Sequence, residues 1–186
     1  MDREEYMALA LELAKKAAKK DEVPVGAIVV KNGKVIAKGY NRRQKSADPS
    51  AHAEFIAMVK AAKRIGNWRL DDCTLYVTLE PCPMCAGLAL NARLPRLVYG
   101  ACDPKSGAIE SLHNLNDGRY NHTFEAVGRV LEKECAAVLT EYFRAKRIKK
   151  EEEKRRRKNE QRNEKIRIHY FGSSTYFCIG TWFIRF

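Results

Sequence analysis

His52-Ala-Glu54, followed 28 residues after Glu54 by Cys82-Pro-Met-Cys85, constrains this chain more than any other feature. One imidazole and two thiols make a candidate metal site, and the carboxylate of Glu54 need not be a ligand. Three N/S ligands leave one tetrahedral position open on Zn²⁺, as in hydrolytic sites; structural sites close all four. A water in the open position has its pKa lowered from 15.7 to about 7. Glu54, two residues from His52, is placed to move that water's proton. Each piece taken alone has other readings. Cys-x-x-Cys also serves as a redox pair or as half of a structural zinc knuckle. Most His-x-Glu pairs are surface polar residues.

The surrounding sequence supplies a suitable frame. Ala51 to Ile65 places Phe55, Ile56, Met58, Val59 and Ala62 at helical spacing, so His52 and Glu54 fall in the first turn of a helix. Pro83 to Asn91 predicts a second helix, with proline at its first position, where a missing N–H costs nothing. Cys82 and Cys85 then lie at a helix N-terminus, whose positive dipole end favours the metal-binding thiolate. The run Cys73 to Leu79 is β-branched and apolar and predicts a buried strand leading into that helix.

His-x-Glu and Pro-Cys-x-x-Cys together form the signature of the zinc deaminases, with Pro81 directly before Cys82. Around it the chain resembles the bacterial tRNA-specific adenosine deaminases (the TadA family) of the cytidine deaminase-like superfamily. The resemblance runs from about Glu5 to Arg147. It is carried by Glu22-Val-Pro-Val-Gly-Ala27, Asn41, Asp48-Pro-Ser-Ala-His-Ala-Glu54 and Leu75-Tyr-Val-Thr-Leu-Glu-Pro-Cys82. Further matches are Met84-Cys-Ala-Gly87, Val98-Tyr-Gly-Ala101, Asp103-Pro-Lys-Ser-Gly107 and Asn121-His122.

The resemblance implies hydrolytic deamination of adenosine to inosine at the wobble position (34) of a tRNA anticodon loop. His52, Cys82 and Cys85 would hold one Zn²⁺ per subunit, and Glu54 would carry protons. Asn41, Ala53 and Pro81, with Asp103, Lys105 and Ser106 of a polar loop, would hold the substrate. It also implies a homodimer acting on the anticodon stem-loop. Pro83 between the cysteines departs from the commoner pattern and is shared with guanine deaminases, so a free-base guanine or cytosine deaminase stays open. Cys102 and the segment Ile109 to Tyr120 are less family-like. A reading of another kind, a zinc-stabilised RNA-binding module, would leave Glu54 dispensable.

Hydrophobic patterning predicts an α/β fold: a three-layer α/β/α sandwich on a five-stranded mixed sheet, cytidine deaminase-like in the light of the resemblance. Asp2 to Lys20 is an amphipathic helix with Tyr6, Leu9, Ala10, Leu13, Ala14 and Ala17 as its apolar stripe. Val25–Val30 and Val35–Tyr40 are strands joined through Asn32-Gly33, a type I′ hairpin signal. Arg42 to Ser50 reads as a polar loop, Arg96 to Tyr99 and Thr123 to Val127 as strands, and Cys102 to Asn121 as a long connection suited to substrate contacts. Leu131 to Arg147 reads as a last helix with Cys135, Val138, Leu139, Tyr142 and Phe143 inward.

The net charge of +12 is mostly a property of the tail: thirteen Lys and Arg against six Glu lie between residues 141 and 167. One deaminase domain, 1–147, is therefore expected, followed by a charged extension and apolar tail, 148–186, that is not a domain. The charged run offers i,i+4 pairs and reads as a helical continuation into solvent or as an RNA tether. Phe171 to Phe186, aromatic and β-prone, reads as an appendage and, if exposed, an aggregation liability. The charged N-terminus lacks a secretory signal and no stretch is long and apolar enough to span a membrane. A Cys/His metal site suits a reducing compartment. Cytoplasmic location and no membrane partner are therefore the expectation.

Overall fold

The computed structural model describes residues 1–171, with side chains as far as 166. The chain falls into two units, Met1–Tyr142 and Phe143–Phe186.

The first unit is a five-stranded mixed sheet with helices on both faces. Helix α1 (Arg3–Ala18) starts from a capping box: Asp2 accepts the N–H of Glu5 and Glu5 accepts the N–H of Asp2, both at 2.8 Å. Strands β1 (Gly26–Lys31) and β2 (Lys34–Tyr40) form the expected hairpin. Asn32 and Gly33 both have positive φ, 50° and 71°, as a type I′ turn requires. After a short helix α2 (Arg43–Ser46) come α3 (Ala53–Ile65), β3 (Cys73–Leu79), α4 (Pro83–Asn91), β4 (Arg96–Ala101) and β5 (Glu125–Val127). Helix α5 (Glu132–Phe171) begins in the first unit and continues in the second.

Strand order is β2-β1-β3-β4-β5. The β1 pairings with β2 and β3 are antiparallel, whereas β3–β4 and β4–β5 are parallel. Alternation along the strands builds two cores. Ala27, Val29, Leu75, Val77, Leu97 and Tyr99 face Ala57, Met58 and Ala61 of α3 and Ala86, Ala89 and Leu90 of α4. Ile28, Val30, Tyr76 and Val98 face Tyr6, Met7, Ala10 and Leu11 of α1 and Cys135 of α5. Central strands covered on both faces read as continuous apolar runs. The expected three-layer sandwich is the observed one.

Several details differ from the sequence reading. Leu9 and Leu13 of α1 are only half-buried, and Met7 and Leu11 are buried instead; the stripe turns so that Ala10 and Ala14 approach the sheet. The Arg42–Ser50 loop contains α2, because the buried Glu22 carboxylate accepts the N–H groups of Gln44 and Lys45 at 3.2 and 2.8 Å. Strand β4 runs on to Ala101, and β5 starts only at Glu125. The last helix does not stop near Arg147, and its apolar stripe runs out before Phe143, which is exposed. The appendage reading of 171–186 falls, beyond Phe171, outside the described residues.

Candidate active site

Strand β3 delivers Cys82 to the N-cap of α4, with Pro83 at the first helical position. Strand β2 ends at Tyr40, and the chain returns through α2 to place His52 at the N-cap of α3. Two helix N-termini thereby meet on one side of the sheet. Gly39 makes this possible: a Cβ there would come within 2.1 Å of the Ala53 carbonyl oxygen and 2.9 Å of the Ala57 nitrogen. Only a glycine lets the start of α3 lie this close on β2.

His52, Cys82 and Cys85 converge, their ligand atoms all within 4.8 Å of one another. His52 Nδ1 is 3.7 Å from each sulfur. Tetrahedral coordination at Zn–S of about 2.3 Å and Zn–N of about 2.0–2.1 Å sets S···N at about 3.6 Å, so the donor set and its spacing fit the ion. Cys82 is held down to about 4 by the hydrogen bond from the Cys85 thiol, with His52 adding a second, against the opposing effect of burial. Cys85 is pushed up by donating to Cys82, by burial and by the charge of Glu54. His52 is raised by its contact with Cys82.

Glu54, in the first turn of α3, is 4% exposed. Its Oε2 is buried with no hydrogen-bond partner among the described residues. Burial raises its carboxyl above the usual range; its own backbone N–H and the charge of His52 pull the other way. A carboxylate desolvated in this way beside three ligand atoms is placed to take up a proton and release it again. Natural proteins rarely leave a buried carboxylate oxygen unpartnered, and such an atom beside a ligand cluster points to a polar group from outside the chain.

The residues expected to hold substrate separate into two groups. Asn41 is buried, and its Oδ1 accepts the N–H of Ala53 at 2.9 Å, so it caps α3 and leaves its amide N–H₂ as a donor. The N–H of Ala53 is thereby engaged. Pro81 is buried, and its carbonyl accepts the N–H of Ala108 at 2.9 Å. Asp103 forms a closed turn, accepting the N–H groups of Lys105 and Ser106 and the Ser106 hydroxyl. Lys105 is exposed, and nothing brings its side chain to the His52 cluster.

The Leu75–Cys82 run holds a further buried carboxylate. Glu80, between β3 and Cys82, is 2% exposed. Its two oxygens accept the N–H groups of Asp103, Ile109, Glu110 and Ser111 at 2.8–3.0 Å and the hydroxyl of Ser111. Burial pushes its carboxyl up, but these donors outweigh it and hold it at about 2. The 103–111 loop is therefore tied to the strand end that carries Cys82. The available signal was a carboxylate directly after an apolar strand and two residues before a ligand. Further along, the Asn116 side chain pairs with both backbone groups of Phe124, and Arg93 donates to the Asn121 side chain. The long connection is thus pinned along its length.

A mixed sheet with two helix N-termini presenting a His/Cys/Cys set and a buried glutamate defines a deaminase of the cytidine deaminase-like class. The comparisons narrow that class. The model of the MafB19-like deaminases matches residues 1–147. A tRNA-specific adenosine deaminase of Bacillus subtilis (strain 168) is 49% identical over 146 residues, covering 78% of this chain and 91% of the relative. A solved tRNA:A34 deaminase, studied for A-to-I editing at the wobble position of transfer RNA, is 43% identical with a TM-score of 0.71, covering 74% of this chain and 100% of that one. The guanine deaminase of Bacillus subtilis is 42% identical with a TM-score of 0.53, over 55% of this chain and 66% of that one. The chain belongs to the MafB19-like deaminase family and, within it, to the tRNA-specific adenosine deaminases.

Proposed function

We propose that this chain catalyses hydrolytic deamination of adenosine to inosine at the wobble position (34) of a tRNA anticodon loop. The observation that carries the chemistry is the His52–Cys82–Cys85 triangle, with the buried, partnerless Oε2 of Glu54 beside it. The substrate class follows from relatives named tRNA-specific adenosine deaminase at 41–49% identity. An anticodon loop is single-stranded, so its bases splay into a pocket at modest cost.

His52, Cys82 and Cys85 hold one Zn²⁺ per subunit, which when bound supplies hydroxide at neutral pH by lowering the pKa of a coordinated water. Glu54 accepts the water proton and passes it to ring N1 as a water oxygen adds to C6. It then helps protonate the departing amine, so that adenosine and water become inosine and ammonia. The free amide N–H₂ of Asn41 donates to the base, and the 103–106 turn with Lys105 meets the flanking RNA.

A homodimer and a cytoplasmic location complete the reading. The five cysteines of the described residues are all free, which suits a reducing compartment. Among the described residues no helix is long and apolar enough to cross a membrane. Light scattering tests the dimer: a monomer turning over RNA at full rate would remove it.

The deciding experiment measures inosine and ammonia from an anticodon stem-loop and from free guanine and cytosine, with and without a chelator. Inosine in the RNA, lost on chelation and restored by Zn²⁺, is expected. Guanine turnover without RNA turnover would establish instead the free-base reading that Pro83 and the guanine deaminase similarity keep open.

A further inference from the structure

Helix α5 continues for more than twenty residues past the end of the family match at residue 147. From Arg147 to Lys165 it carries ten Lys and Arg and five Glu. A helix turns about 100° per residue, and that rotation sorts these charges. Arg147, Lys154, Arg155, Lys158, Arg162 and Lys165 fall within a single arc of about 100°, joined only by Glu151. The rest of the circumference holds Lys149, Lys150, Arg156 and Arg157 against four Glu. The whole net charge of the segment therefore lies on one stripe, and the remaining surface is neutral.

The neutral side is what a solvated helix requires. Glu152–Arg156 and Glu153–Arg157 are i,i+4 pairs, and Arg156 Nε lies 3.5 Å from Glu160 Oε1. The stripe does the opposite. Lys154–Lys158 and Lys158–Arg162 are like charges at i,i+4, and Arg155–Lys158 and Arg162–Lys165 are like charges at i,i+3. Each such pair costs an isolated helix about 0.2–0.5 kcal/mol; Glu151 offsets part of this through Arg147, Lys154 and Arg155, and from Lys158 to Lys165 the stripe holds no acidic residue to offset the rest. A polyanion laid along the stripe reverses the sign. All six cations are exposed, and the stripe is about 27 Å long at 1.5 Å per residue.

We propose that this face of α5 binds the phosphate backbone of structured RNA. Membrane insertion would require an apolar face, and between residues 148 and 166 the large apolar side chains are only Ile148 and Ile166. The residue types are those of sequence-independent phosphate contact: point charges and guanidinium forks without interleaved aromatic residues. The inference rests on the RNA reading above for its choice of polyanion and adds to it a second, non-catalytic binding surface.

The test compares two full-length variants with the same loss of charge. One is R147Q/K154Q/K158Q/R162Q on the stripe; the other is K149Q/K150Q/R156Q/R157Q on the neutral side. Glutamine keeps the helix, checked by circular dichroism. Binding to a tRNA transcript is titrated from 50 to 200 mM salt. With a slope of about −0.7 to −0.9 per neutralised phosphate, the stripe variant should lose about three in slope and at least tenfold in affinity. The neutral-side variant should change less than threefold. Equal losses in both variants, or none in the stripe variant, overturn the proposal. So does a stripe variant that keeps RNA but loses acidic vesicles or an acidic polypeptide. Inosine formation on a short anticodon stem-loop is followed in parallel. Its absence in the parent chain sinks the catalytic reading, and the binding comparison still decides the stripe.

Discussion

Glu54 and Glu80 are both buried carboxylates, and their surroundings drive them in opposite directions. Glu54 meets mainly desolvation and rises; Glu80 meets four backbone N–H groups and a hydroxyl and falls. The first suits a group that changes charge in each turnover, the second a group that never does. Glu54→Gln should retain metal, measured by atomic absorption, and lose about 10²–10⁴-fold in kcat, the range of a general acid–base. Full activity in that variant would remove Glu54 as the proton carrier. Glu80→Ala should also keep the metal but leave the N–H groups of residues 103 and 109–111 without their acceptor. A loop displaced by about 1 Å costs on the order of 10²-fold in rate, and Glu80→Asp should recover part of it. A variant that loses metal and activity together would make Glu80 a support of the ligand site alone. At this scale the sequence was most legible where chemistry is tied to residue type: His52, Cys82 and Cys85 announced themselves by spacing. Glu80 did not, because its role depends on which backbone folds over it, and no local pattern encodes that.

Helix α3 illustrates what periodicity can and cannot give at the scale of an element. Phe55, Ile56 and Val59 mark it as a helix, yet they are only half-buried, and the buried apolar face is Ala53, Ala57, Met58 and Ala61, alanine at all but one position. Apolar bulk reveals that a helix exists; small residues decide how near it comes. The near approach is what puts His52 within reach of the α4 N-terminus. Gly39→Ala tests this, since the added Cβ would meet backbone atoms of α3 that cannot swing aside. Overpacking of this kind costs about 1–3 kcal/mol, read as a lower unfolding midpoint. Because α3 carries His52, zinc affinity should fall as well. A variant as stable as the parent with undiminished zinc affinity would separate the close approach from the site. Helix α2 went unread for a related reason. Four residues are too few for a periodic signal, and its N–H groups are held by Glu22, about twenty positions away.

Across the whole molecule, the sheet, both cores and every ligand candidate lie within Met1–Tyr142, whereas the net charge sits largely beyond residue 141. Composition averaged over the chain therefore describes neither part, and only the position of the charges along the sequence separated them. The length of α5 was less legible, because a run of Lys, Arg and Glu is compatible with a frayed coil as much as with a helix; i,i+4 pairing on the neutral side favours the helix. This division predicts that a chain ending at residue 147 folds by itself. It retains Leu131 just before α5, the α5 residues Cys135, Ala136 and Val138 packed in the second core, and the Tyr142 hydroxyl that donates to the Asp21 carbonyl at 3.1 Å. What it lacks is the like-charged stripe beyond Arg147, whose charged side chains are exposed and contribute no apolar burial. The change in folding free energy should stay under about 1 kcal/mol, which for a protein of this size moves the unfolding midpoint by no more than about 2–4 °C. Scanning calorimetry on the full and shortened chains, both loaded with Zn²⁺, measures it. Inosine formation on a short stem-loop at saturating RNA should be unchanged, while affinity for whole tRNA falls and loses much of its salt dependence. A midpoint lowered by ten degrees or more would instead make the extension part of the folding unit.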